Sequence, residues 1–424
     1  MASLPFMIDR RADLKGMAVT HALLIGVSAY EHISSLDAGA HTAGRIYEWL
    51  KTADAAGLLP APLATVTLLL STTQIERQQL KTVADPGMWA PATCANILAA
   101  RNRLYSLVLE TEKGLKLPNS EIGAGTAIYY FGGHGADVFR EDPIGLACDA
   151  DDRERPWVAC FDQLEFREHL THIVDPEGIS VEHPRRVRCL FLYDCCRGRE
   201  DDATLQDAVP ELQYTPLIEE PTGVRPYLAL SAATQGSPAW EPDRAIALPP
   251  PHEIPLSFFG HGLLNALNWA QDVSIDPLLP WQTSAQGLVD DLKRAMDELA
   301  KSDIEGAKIP GAPVMKSSPP DFALLRARAA PFVSVMLSCD PEDVRDAKCI
   351  EVHQRVGEEY LQKRALPPWT NHPESYMPVP GMFRIRVTAR AGTPIEKAVR
   401  LRPALGAWKW IIRDDAIAIQ DPAD

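Results

Sequence analysis

Between residues 17 and 325 short apolar runs alternate with longer amphipathic stretches, and this alternation constrains the fold more than any other feature of the chain. The runs 21–27 (HALLIGV), 65–71 (TVTLLLS), 126–131 (TAIYYF), 187–193 and 227–231 (YLALS) are continuous rather than alternating. Strands buried on both faces of a parallel sheet read that way. Helix candidates fall between them. Residues 42–52 put Ile46, Trp49 and Leu50 on one face, and 94–112 carry the stripe Ile97, Leu98, Leu104, Leu107 and Val108. Further helices are expected near 161–173, 257–269 and 284–301, with a last short strand at 312–315. The expected fold is α/β, with a mostly parallel six-stranded sheet flanked by helices.

Two stretches interrupt the pattern. Residues 197–226 are charged and carry four prolines, and 241–255 include Pro249, Pro250 and Pro251. Consecutive prolines are incompatible with a helix interior or an inner strand. After Pro319 and Pro320 the period changes: 332–338, 383–389 and 408–413 alternate apolar and polar residues. This predicts a small antiparallel β-rich module at 330–424, following a principal domain at 17–325 and an N-terminal extension at 1–16.

A formal net charge of −15 disfavours nucleic acid and anionic membrane surfaces as partners, since both repel an acidic protein. Eight cysteines in 424 residues, without C-x-x-C spacing for zinc, suit a reducing compartment better than a disulfide scaffold. No apolar run approaches the roughly 20 residues of a membrane span, so a cytoplasmic location is expected.

The chemistry is concentrated where two strand candidates end. The run 126–131 leads into Gly132-Gly133-His134-Gly135, and 187–193 leads into Asp194-Cys195-Cys196. Neighbouring parallel strands present their carboxyl ends on one sheet edge, where such sheets bind ligands. An imidazole and a thiol leaving that edge side by side can exchange a proton, which a cysteine needs because the thiolate is the nucleophile. Gly132 and Gly133 read as a sharp turn after the strand. Gly135 leaves its backbone N–H unobstructed, so that with the N–H of Cys196 it can bind an oxyanion. No metal or cofactor is required. Alternation sends Cys195 and Cys196 in opposite directions, so only one can face His134. His261, in Gly260-His261-Gly262, lies in a helical pattern and is set aside as a site residue.

FGGHG and DCCRG resemble the histidine and cysteine motifs of caspases, metacaspases and their bacterial relatives. HALLIGVSAY with LDAGAHTA, GLACDADD, YLALSAAT and PVMKSSPPDFALL resemble further segments of that family, so the likeness covers roughly residues 17–325. It implies a caspase-like peptidase domain and a cysteine endopeptidase acting on protein or peptide substrates. Cys196 would be the nucleophile, His134 the base, and Gly135 with Cys196 the oxyanion hole. Asp194, two residues before the nucleophile, is aspartate as in metacaspases, which implies a substrate-binding acid and cleavage after Arg or Lys. Where metacaspases carry a further acid this chain has Gln235. Arg197, Arg199 and Arg225 suggest self-cleavage in the loop after the nucleophile. Residues 149–152 resemble an acidic calcium site, although a solvated acidic turn is the plainer reading. An activating partner at the C-terminal module is consistent with the resemblance, as is the alternative of a non-catalytic adaptor.

Overall fold

The computed structural model describes residues 4–80, 88–115, 125–136, 142–150, 160–173, 186–195, 223–233, 256–267, 272–273, 281–301, 314–318, 323–327, 335–339, 348–356, 359–366, 374–376, 381–389, 395–401, 408–412 and 417–420. Two compact units result: Met1–Leu264 with Ser284–Leu325, and Asn265–Thr283 with Arg326–Asp424.

The first unit is built on one sheet. Its elements in chain order are β1 (Ile8–Asp9), β2 (Val19–Val27), α1 (Gly39–Ala55), β3 (Leu63–Ser71), α2 (Gln74–Leu80), α3 (Cys94–Gly114) and β4 (Gly125–Gly133). There follow β5 (Gly135–Ala136), β6 (Ile144–Leu146), β7 (Cys160–Asp162), α4 (Gln163–Thr171), β8 (His172–Ile173), β9 (Arg188–Cys195), β10 (Gly223–Val224) and β11 (Tyr227–Ser231). Then come α5 (Phe258–Leu267), α6 (Ala285–Lys301), β14 (Val314–Ser318) and β15 (Ala323–Ala327). Between α5 and α6 in the chain, β12 (Asp272–Val273) and β13 (Trp281–Ser284) fall in or at the end of the segment 265–283, which belongs to the second unit. The sheet runs β1-β3-β2-β4-β9-β11-β14. Its five inner strands are parallel, and β1 and β14 close the two edges antiparallel.

All six expected strands are present in this α/β sheet. The seventh corrects the reading of residues 1–16 as an extension: Ile8 and Asp9 pair with Val66 and Thr65. Two residues carry no detectable period, which is why β1 escaped notice.

The central strands are apolar because both faces are covered. Every residue of β2 and β4 is buried. Leu23, Ile25 and Val27 of β2, Tyr129 and Phe131 of β4, and Phe191, Tyr193 and Cys195 of β9 share one core with Ile97, Leu104 and Val108 of α3 and Phe166 and Leu170 of α4. Each such side chain contributes about 1.5–3 kcal/mol by leaving water. Local caps set the helix starts: Thr93 accepts the Asn96 N–H before α3, and Asp162 accepts those of Leu164 and Glu165 before α4. Helix α1 has no side-chain cap from Ala38. Its first N–H groups are satisfied across the fold instead, Ala40 by Ser28 Oγ (2.8 Å) and His41 by Glu76 Oε1 (3.1 Å).

The second unit contains β16 (Val335–Cys339), β17 (Lys348–Val356), β18 (Glu359–Leu366), β19 (Glu374–Tyr376), β20 (Gly381–Ala389), β21 (Ile395–Leu401), β22 (Trp408–Ile412) and β23 (Ile417–Gln420). They form two four-stranded sheets, β19-β16-β22-β23 and β18-β17-β20-β21. The module is β-rich as its alternation predicts, but it is not wholly antiparallel, because β16 and β22 pair in parallel. Residues 265–283 belong with it as well.

Candidate active site

Strands β4 and β9 end together. Their register pairs Gly132 with Asp194 and Gly133 with Cys195, and these are the last pairs of the ladder. His134 follows directly on β4. Cys196, which follows Cys195, lies outside the described residues, as do Gln235, Arg197 and Arg199.

Cys195 is 1% exposed and belongs to the aromatic core between the sheet and helices α3 and α4. Its neighbour Asp194 turns to the opposite face, where its Oδ2 accepts hydrogen bonds from Tyr130 Oη (2.7 Å) and from Ser257 Oγ at the start of α5. Burial pushes the Asp194 carboxyl up to about 6, against the two hydroxyls that pull it down. Ser257 Oγ also accepts the Gly260 N–H (2.8 Å), so the hydroxyl that meets Asp194 is the N-terminal cap of α5.

His134 is held from three directions. Its backbone N–H donates to Tyr30 Oη at 2.6 Å, and its ring packs on that of Tyr30 with centroids 4.8 Å apart. Its Nε2 lies 2.9 Å from the Ser34 carbonyl oxygen. A carbonyl only accepts, so Nε2 bears the proton in the neutral ring and the lone pair is on Nδ1. Tyr30 and Ser34 belong to the loop between β2 and α1. That loop is pinned by Leu36 N–H to Ser28 O (2.8 Å), Glu31 N–H to Cys148 O (2.9 Å) and Ser28 Oγ to Glu76 Oε1 (2.7 Å). Burial raises the Glu76 carboxyl above its ordinary range, opposed by donors from Ser28, Thr73 and His41.

The two glycines before His134 do not form a turn, which corrects the sequence reading. Both are strand residues of β4, and their role is space. A Cβ on Gly132 would sit 2.5 Å from Tyr130 Oη, and one on Gly133 would sit 2.8 Å from Tyr30 Oη. Each glycine therefore admits a tyrosine hydroxyl, one directed to Asp194 and the other to His134. Gly135 pairs with Gly145, and the adjacent Leu146 N–H donates to His134 O (3.0 Å). Ladder alternation makes Gly135 and Gly145 a non-hydrogen-bonded pair, so the Gly135 N–H points away from β6.

Other candidates resolve differently. His261 lies on α5, where burial lowers its pKa. Arg225 is 1% exposed, gripped by both oxygens of Glu112 (2.9 and 2.8 Å) and donating to Leu170 O and His172 O. It is a buried structural cation, so the reading of Arg225 as an exposed cleavage residue is corrected. Asp149 Oδ1 accepts the Cys94 N–H at the start of α3 (2.9 Å), while Asp151 and Asp152 lie outside the described residues. Among the described residues no cluster of three or more His, Cys, Asp or Glu side chains could hold a metal ion. No described helix is long and apolar enough to cross a membrane.

Tyr30, Ser34, Tyr130 and Ser257 escaped the sequence reading. A usable signal existed for Tyr130, since a tyrosine in a fully buried strand needs a partner for its hydroxyl. Ser34 acts through its backbone and has no sequence signature.

No protein-family model matches the chain, and no curated protein matches it.

Proposed function

We propose that the protein is a caspase-like cysteine endopeptidase in which Cys196 attacks a peptide carbonyl and His134 is its base. One observation carries the reading: the paired strands β4 and β9 end at Gly133 and Cys195, so His134 and Cys196 are each the first residue past a shared ladder end. The Ser34 carbonyl favours the tautomer in which Nδ1 is basic.

The reaction follows from these roles. The Cys196 thiol gives its proton to Nδ1 of His134, and the thiolate adds to the carbonyl carbon. The oxyanion is met by the N–H groups of Gly135 and Cys196. Collapse breaks the C–N bond, and His134 returns the proton to the departing amine. A water then gives a proton to His134 as its oxygen adds to the thioester carbon; the C–S bond breaks, the acid leaves, and His134 returns that proton to the Cys196 sulfur. Asp194, on the same edge, would meet the P1 side chain, which as a carboxylate favours Arg or Lys over Asp. Gln235 would line the same subsite. A regulated effector role, with a partner at the C-terminal module, fits the separate β-rich unit.

The test is turnover of matched peptides ending in Arg, Lys or Asp by wild type, Cys196→Ala and Cys195→Ala. Cleavage after the basic residues, reduced roughly 10³-fold or more by Cys196→Ala and retained by Cys195→Ala, is expected. Activity that survives Cys196→Ala rejects the assignment. Absence of turnover by wild type leaves the adaptor reading.

A further inference from the structure

Asp194 is a carboxylate with one oxygen already engaged. Its Oδ2 accepts both Tyr130 Oη–H (2.7 Å) and Ser257 Oγ–H. Among the described residues nothing donates to Oδ1. The fold gives each hydroxyl its place. Gly132 leaves the Tyr130 hydroxyl its place, and Ser257 is held as the cap of α5, its own N–H donating to Thr42 Oγ1 (3.3 Å).

Arginine's advantage at a carboxylate comes from two parallel N–H···O bonds, one to each oxygen. Lysine meets a carboxylate as a compact point charge and loses nothing when a single oxygen is offered. We propose that Tyr130 and Ser257 are specificity-determining residues which, by occupying Oδ2 of Asp194, make this subsite one for lysine, cleaved at least as well as arginine. The inference rests on the peptidase reading above and names the substrate class of the same site. A pH effect accompanies it. The two hydroxyls favour the ionised carboxylate, which burial otherwise disfavours, so removing either shifts the acid limb of basic-peptide binding upward.

The experiment is the ratio of kcat/KM for two peptides identical except for Lys or Arg at P1, measured in wild type, Ser257→Ala and Tyr130→Phe. A ratio within one preparation does not depend on how much of it is folded, so loss of the α5 cap in Ser257→Ala does not obscure the result. Wild type is expected to cleave the Lys peptide at least as fast as the Arg peptide. Each variant frees one acceptor position on Oδ2 and raises the Arg/Lys ratio by about tenfold, the worth of one charge-assisted hydrogen bond. The pH midpoint of KM for the Lys peptide is expected to rise in both. A wild type preferring Arg by tenfold or more, or a ratio unmoved in both variants, overturns the proposal while leaving the peptidase reading in place. Failure of wild type to cleave either peptide removes the peptidase reading itself, and this proposal with it.

Discussion

The two ends of the central sheet each hold a histidine, and they hold it differently. Near the amino ends of the strands, His21 of β2 is 2% exposed, with Nδ1 2.8 Å from Thr65 Oγ1 and Nε2 2.9 Å from Thr111 Oγ1. At the carboxyl end of β4, His134 is only half-buried, with Nε2 at the Ser34 carbonyl oxygen. Both ring nitrogens of His21 are committed to hydroxyls, and burial lowers its pKa to about 4, so it is neutral and has no proton to exchange near neutral pH. The same residue type is thus structural where both nitrogens are engaged in the core. It is suited to base chemistry where one nitrogen is fixed by a pure acceptor at the sheet edge.

Exchanging each histidine separates the two ends most strongly. His134→Ala is expected to lower kcat/KM roughly 10³-fold or more while the melting temperature barely moves, since the ring is at the surface. His21→Ala is expected to do the reverse: stability falls by about 2–3 kcal/mol, through the lost packing and the stranded hydroxyls of Thr65 and Thr111, while kcat/KM per folded molecule stays within a few-fold. A His21 variant that folds normally but has lost activity would break the comparison.

The pH dependence of stability is the next largest effect, and the two ends have opposite signs. His21 titrates near 4 when folded and at about 6.5 when unfolded, so the unfolded chain takes the proton first. Its effect is a loss of up to about 3 kcal/mol as pH falls from 6.5 to 4. The Asp194 carboxyl is raised to about 6 from 3.8. The folded state then holds that proton more tightly, so stability rises by about 3 kcal/mol as pH falls from 6 to 3.8 and is lost as pH rises through 6. Glu76, also raised by burial, acts in the direction of Asp194. Urea unfolding between pH 4 and 7 is expected to show His21→Asn gaining stability on acidification relative to wild type, and Asp194→Asn losing it. Parallel pH profiles for all three proteins would contradict this.

The smallest effect concerns Tyr30, a positioning residue. Tyr30→Phe keeps the ring on His134 and removes the acceptor for its backbone N–H. A drop of about tenfold in kcat with KM unchanged is expected if His134 is the base proposed, because only its placement is affected. An equal loss in Cys196-independent stability, with kcat per folded molecule intact, would make Tyr30 a packing residue alone.

What was legible in the chain follows from the same contrast. Strands buried on both faces announce themselves as apolar runs, so β2, β3, β4, β9 and β11 could be read directly, whereas the edge strand β14 showed only through the short apolar segment that leads into it. The strands β1, β5, β8 and β10 have two residues each, too few to show a period. The site was legible where it consists of a motif, as at His134 and at Asp194 with the cysteines after it. It was not legible where it consists of contacts between distant segments. Tyr30 reaches His134 across 104 residues, and Ser257 reaches Asp194 across 63. Gly132 and Gly133 show why: a glycine pair at a strand end reads locally as a turn, whereas the hydroxyls that require those glycines come from Tyr130 and Tyr30. Arg225 taught the converse, since a basic residue in a proline-rich stretch reads as exposed until Glu112, from helix α3, closes on it.

The pairing of His134 with Cys196 is tested most directly by covalent capture. Wild type and His134→Ala are treated with a peptidyl electrophile carrying lysine at P1, and the modified cysteine is located by peptide mass spectrometry. The account predicts one adduct, on Cys196, that forms at least a hundredfold more slowly in His134→Ala, with the buried Cys195 unmodified in both. An adduct on Cys195, or labelling of Cys196 at the same rate without His134, would contradict it.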